Sequence, residues 1–169
     1  MKHRIRVAGL VRRGDQILLV EQQNPDNGHK RWTIPGGGLE HTDADIFAGV
    51  ERELFEETGL SVRAGRVRYI SEYISHERAV LMLSLWIDCH PLEGSDFGEP
   101  TLANTLVDDY ITDIGWWTRD LLKDQKTSSA LQKDDFWNHL QAPLESVVYL
   151  GRRSDQMDAI QGTPLLLYP

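Results

Sequence analysis

Glu53, Glu56 and Glu57 stand at i, i+3 and i+4, the spacing that puts three carboxylates on one face of an α-helix. Ile46, Phe47, Val50 and Leu54 mark the sector of that helix which must face a core. The acidic face overlaps the apolar one, with Glu57 falling between Ile46 and Val50 on the helical wheel. Like charges at the edge of a core, near a helix C-terminus whose dipole disfavours them, are costly unless a cation neutralises them. Arg52, one turn before Glu56, is the nearby positive side chain. Clustered oxygen ligands on a rigid element suit a hard divalent cation, Mg²⁺ first and Mn²⁺ as its substitute. The alternative is a solvated acidic face with Arg52 as an i,i+4 surface partner.

The helix carrying these acids has both ends written in the sequence. Pro35 stops a preceding strand, and Gly36, Gly37 and Gly38 allow backbone angles and approaches that a Cβ would forbid. Thr42 or Asp43 can cap the helix, with Asp45 in the first turn. Gly59 is the expected left-handed residue after Thr58, and Leu60 falls where a Schellman ending would pack it on Phe55.

These residues resemble the Nudix hydrolase signature, GX5EX7REUXEEXGU, with U a bulky aliphatic. Residues 52–60 match its second half at every fixed position, and residues 35–40 are similar to the family's usual entry. The middle departs from it. Six residues on from Gly37 is Asp43, whereas eight back from Arg52 is Ala44, so the loop is one residue longer than the pattern. Asp43 is accordingly read as a cap or hydrogen-bonding loop residue, not a metal ligand.

The resemblance implies an α/β fold, the Nudix-type α/β/α sandwich with a mixed β-sheet. It implies hydrolysis of a nucleoside diphosphate linked to another moiety, by water attacking phosphorus. Arg52, Glu53 and Glu56 would be catalytic, with Arg52 orienting a glutamate. Glu53, Glu56 and Glu57 would hold Mg²⁺, and Glu40 would supply a further ligand or a contact to one. Arg6, Arg31, Trp32, Gly37 and Gly38 are the candidate substrate contacts, and most basic residues nearby have an ordinary surface role as their alternative. The general base stays open among Glu53, Glu56 and the loop acids Glu99, Asp108 and Asp109. Substrate pointers outside the signature are missing: His76 stands where ADP-ribose hydrolases carry proline.

With 169 residues and 40% hydrophobic content, the chain reads as one domain, residues 1–142, with an extension at 143–169 packed on it. A formal charge of -8 argues against nucleic acid or an anionic membrane as partner, so a small anionic substrate must be attracted locally. Cys89 is alone, which excludes a disulfide framework. Only a short apolar patch follows the N-terminus, so a signal peptide is not expected and the cytosol is. Residues 4–12 and 16–23 read as a hairpin, 32–34 as a short strand, and 62–74, 79–87 and 111–117 as further strands. Short helices are expected over 118–123 and 134–140, and residues 90–109 as a long functional loop. Segments 147–150 and 164–168 could add edge strands, cover the core or meet a second copy in a homodimer. Two other functions stay open: a catalytically silent nucleotide-sensing module, and a prenyl diphosphate isomerase, which would need Cys89 as catalyst.

Overall fold

The structure, a computed structural model, describes residues 1–92, 96–102, 110–143 and 145–155. Strands β1 (Lys2–Arg13) and β2 (Gln16–Gln23) form the expected hairpin, turned by Gly14 at a φ of 64° and Asp15. β3 (Lys30–Thr33) leads into β4 (Gly36–Gly38), a strand within the glycine loop that sequence reading had left as loop. Helix α1 (Ile46–Thr58) is followed by β5 (Val62–Ser75), β6 (Val80–Pro91) and β7 (Ile111–Trp117). Helix α2 (Asp134–Gln141) and strand β8 (Val148–Ser154) complete the described elements.

The strands form one mixed sheet of eight, with the path β3-β2-β1-β6-β5-β8 and with β4 and β7 paired to β1 and β2. β1 runs parallel to β6 and β5 parallel to β8, while the other pairings are antiparallel. Alternation along each strand sorts side chains onto two faces. Val7, Val11, Leu18 and Ile87 meet Val50 and Leu54 of α1, whereas Ala8, Leu10, Tyr69 and Trp86 meet Phe136 and Leu140 of α2. This is the expected α/β/α sandwich. No helix among the described residues is long and apolar enough to cross a membrane.

Three local expectations change. The cap of α1 is Asp45, not Thr42 or Asp43: its extended backbone precedes the first turn, and its carboxylate accepts from Phe47 N at 2.9 Å and Ala48 N at 2.8 Å. The helix ends on Gly59 at a φ of 69°, but by a single bond from its N–H to the Phe55 carbonyl, 2.9 Å. Leu60 turns into the core while Phe55 stays exposed, and the Leu60 N–H goes to the Thr58 hydroxyl at 3.3 Å, so the ending is not a Schellman motif. Residues 118–123 are turns, not a helix, because the chain must swing back to bring Lys126 and Thr127 beside Trp32 on the β3 edge. The segment 147–150 does add an edge strand, as part of β8; residues 164–168 lie outside the described residues.

Helix α2 has no side-chain cap at its start, and the sheet secures it through its carbonyls instead. Arg12 donates to Leu140 O at 2.6 Å, Tyr69 Oη to Phe136 O at 3.1 Å, and Arg68 to His139 O at 3.0 Å. Arg68 also grips Asp88 through Nε at 2.9 Å and 3.0 Å, and both residues are buried. Removing one charge of such a pair strands the other in a low-dielectric setting. Asp88→Asn should therefore destabilise the fold by about 3 kcal/mol, read as a lower urea midpoint with an unchanged slope; an unshifted midpoint would show that the pair contributes nothing.

Candidate active site

Glu53, Glu57 and Glu56 project from the C-terminal half of α1 toward the glycine strand β4. Glu53 and Glu57 are only 6% and 3% exposed, which makes an uncompensated charge on either untenable. Their compensation comes from two directions. Arg52 donates through one terminal nitrogen to both Glu53 (2.9 Å) and Glu56 (3.1 Å), so these carboxylates converge on a single point. The Gly36 N–H donates to Glu57 at 2.6 Å.

The glycines explain how β4 comes so close. Gly36 has a φ of 144°, and a Cβ there would strike the Val7 carbonyl at 2.2 Å, so no other residue fits. A Cβ on Gly37 would lie 2.4 Å from the Glu53 carboxylate: the bare backbone is what makes room for that acid.

Asp43 lies where the signature loop is one residue too long, and its carboxylate is almost fully buried. It clasps Arg52 with both oxygens, at 2.8 Å and 2.9 Å, and accepts the Glu40 N–H at 2.8 Å. That contact with Arg52 holds the Asp43 carboxyl below its ordinary range and, with Glu53, raises the Arg52 guanidinium above its own. Asp43 is thus the hydrogen-bonding loop residue expected from the sequence. Glu40 is exposed, 4.0 Å from Arg52, and bonded to Thr42.

Beside this acidic end opens a cleft of about 760 Å³. Gly36, Gly37 and Glu57 close one end of it, and Arg6 reaches in from β1, donating to Ile34 O at 3.0 Å and Gly36 O at 2.8 Å. Burial pulls the Arg6 guanidinium below its ordinary value, and Glu57 and Glu53 oppose that pull. Arg31 also lines the cleft. Trp32 does not: it is a core residue, packed at a tilt against Trp117 with centroids 4.6 Å apart, because its neighbours along β3 face outward and it must face in. Gly38 stands outside the lining, where its carbonyl accepts from Arg52 at 3.1 Å.

Sequence reading missed the serines of the floor. On β5 the face that carries buried Tyr69 continues as Ser71, Tyr73 and Ser75, and on β6 the face of Trp86 continues as Ser84 and Met82. Beyond the reach of α2 the inward alternation switches from apolar to small polar residues. That switch is visible in the sequence once the strand faces are known. Tyr110 and Arg153 also line the cleft, and Tyr110 does so with a strained φ of 50°.

Among the loop acids, Glu99 pairs with Arg13 at the hairpin tip. Asp108 and Asp109 lie outside the described residues. Cys89 is buried beneath α1, and burial pushes its thiol up to about 12. Among the described residues no three acids, histidines or cysteines already stand in a ligating arrangement, since Arg52 and Gly36 engage these carboxylates. The donor set nonetheless fits a hard cation: all oxygen, on one rigid helix face, against a glycine cradle.

A family model described as the NUDIX domain matches residues 2–136. A MutT-like protein of Streptomyces ambofaciens is 34% identical over 113 residues, 66% of this chain and 68% of its own length. The diphosphoinositol polyphosphate phosphohydrolase 3-beta of Bos taurus is 43% identical over 56 residues, 32% of this chain and 31% of its own. This chain therefore spans only about a third of that second relative. In fold, a NUDIX hydrolase structure from Nitrosomonas europaea superposes with a TM-score of 0.65 at 20% identity, over 82% of this chain and 90% of that one.

Asp43→Asn should lower stability by about 1–2 kcal/mol through the lost charge-assisted bonds, and should reduce turnover less than loss of Glu56 does. A variant with unchanged melting and no turnover would make Asp43 a direct participant. Cys89 should resist iodoacetamide in the folded protein at pH 8 and react once the chain is unfolded in urea; modification of the native protein without loss of structure would contradict its burial.

Proposed function

This chain belongs to the Nudix hydrolases, generally pyrophosphohydrolases that use a divalent metal, and from that premise we propose that it cleaves the diphosphate of a nucleoside diphosphate linked to another moiety. The observation that carries the reading is the meeting of the carboxylate face of α1 with the glycine strand at the end of a cleft floored by Arg6. Glu57 lines the cleft beside the glycine strand, and Arg31 and Arg153 give it a basic part further on, where Glu77 and Asp155 also stand. A substrate with a phosphate-rich centre and a polar remainder matches that polarity.

Glu53, Glu56 and Glu57 would hold the cation, Mg²⁺ by preference, with Glu40 near enough to Arg52 to assist. Once bound, the ion would neutralise the diphosphate oxygens and make a water molecule a better nucleophile. The protein's own groups do the rest. Asp43 fixes the Arg52 plane, and Arg52 in turn fixes Glu53 and Glu56 on one side of the site. Arg6, anchored on two glycine-loop carbonyls, presents positive charge to the substrate from below. Glu53 or Glu56 takes the proton of the attacking water, the two acids held within reach of the reacting centre on this reading. Tyr73 offers an aromatic face to a base.

Glu56→Gln/Glu57→Gln should weaken Mg²⁺ and Mn²⁺ binding in calorimetry and lower the release of nucleoside monophosphate from nucleoside diphosphate conjugates by 100-fold or more, on the order expected for losing charge stabilisation in a transition state. Equal metal binding by the wild type and the double variant would sink the assignment of the ligands. Full turnover in excess EDTA would sink the metal dependence.

A further inference from the structure

The cleft also carries two arginines remote from the α1 carboxylates in sequence, on two strands that sit at opposite ends of the sheet path. Glu77 and Asp155 line the cleft as well, but neither pairs with these arginines, and Asp155 is taken up by the Ser75 hydroxyl and the His76 and Glu77 N–H groups. Arg31 comes from β3 and Arg153 from β8, and the curl of the sheet brings both into the one cleft. β8 lies outside residues 2–136, the part that matches the family model, so Arg153 is contributed by this chain's own tail.

These two arginines differ from the other cations around them. Lys30 pairs with Glu21 at 3.0 Å, Arg78 with Asp26, and Arg6 is taken up by two carbonyls. Among the described residues neither Arg31 nor Arg153 makes an ion pair, and Arg153 donates only to the neutral hydroxyl of Ser129. Burial in the cleft, and after it the charge of Arg31, pull the Arg153 guanidinium below its ordinary value. In a protein of formal charge -8, two unneutralised guanidinium groups facing one space are an exception that an anion would resolve. The same cleft contains two buried polar atoms without partners, Trp86 Nε1 and Ser128 Oγ. Buried donors of that kind call for an acceptor from elsewhere.

We propose that Arg31 and Arg153 form a subsite for a phosphate monoester carried by the substrate away from the diphosphate that is cleaved, so that the preferred substrates bear this extra phosphate. The inference rests on the hydrolase reading above and adds a substrate class to it. Arg is suited to the task because its planar fork accepts two phosphate oxygens at once, which a lysine ammonium does not.

The test uses pairs of substrates that differ by one phosphate monoester: coenzyme A against dephospho-coenzyme A, and NADPH against NADH. The wild type should favour the phosphorylated member of at least one pair by about tenfold or more in kcat/KM, the range of a charge-assisted bond. Arg153→Gln and Arg31→Gln should each reduce that ratio about tenfold, and Arg153→Lys should fall between. Arg66→Gln, an equal charge loss on the exposed part of β5, should leave the ratio unchanged. No preference in the wild type, a preference kept by both variants, or an equal fall in Arg66→Gln would overturn the subsite. If no diphosphate is cleaved, the hydrolase reading fails by itself, and calorimetry in EDTA still decides the subsite. Adenosine 3′,5′-bisphosphate should then bind the wild type about tenfold more tightly than AMP and lose that margin in Arg153→Gln; equal binding of the two by the wild type would refute it.

Discussion

The guanidinium of Arg52 is the contact on which the acidic end of this molecule depends. It bonds Asp43 through two nitrogens, Glu53 and Glu56 through a third, and the Gly38 carbonyl besides. Without it, carboxylates on one helix face would repel one another at the margin of a core. With it, the helix can keep those acids together at the margin of the core, and the loop that enters the helix is tied to its middle. Helix, glycine strand and loop are therefore held in one electrostatic unit, and the cleft inherits its geometry from that unit.

The irregularity of the loop becomes intelligible in the same terms. An aspartate stands where the signature has a glutamate, and the loop is one residue longer than the signature allows. Read from the sequence these are two faults. In the structure the short Asp43 side chain reaches Arg52 with both oxygens at hydrogen-bond distance. Asp45, not Asp43, caps the helix, so capping and clasping are done by different residues.

What was legible in the sequence was whatever depends on neighbours along the chain. The face shared by Glu53, Glu56 and Glu57, the stop at Gly59, the hairpin at Gly14 and the apolar strand after residue 79 all follow from local period and turn chemistry. What was illegible depends on contacts between distant segments. Trp32 looks like a stacking residue until its strand partner fixes which way it faces. Residues 118–123 have helical composition, but the need to pass beside Trp32 keeps them as turns. The serine floor appears only when β5 and β6 are paired and the span of α2 is known. Arg153 had no local signal at all, since nothing near it in sequence says that β8 will lie beside β5.

On the proposed reading, the two ends of the cleft impose an order on binding. Glu57 lines the end closed by Gly36, with Glu53 and Glu56 beside it on the same helix, and a diphosphate approaching them alone would meet like charge in a partly desolvated space. The basic end, with Arg31 and Arg153, opposes an anion less: Asp155, which also lines the cleft, is already taken up by the Ser75 hydroxyl and the His76 and Glu77 N–H groups. An anionic substrate is therefore drawn first to the basic end, whatever the net charge of the protein, because the attraction acts within a Debye length of about 8 Å. Only when a cation has reversed the sign of the acidic end does the second half of the substrate gain by settling there. The polarity of the cleft thus selects the orientation of the substrate as well as its charge, and it makes the part that meets the carboxylates the part whose binding depends on metal.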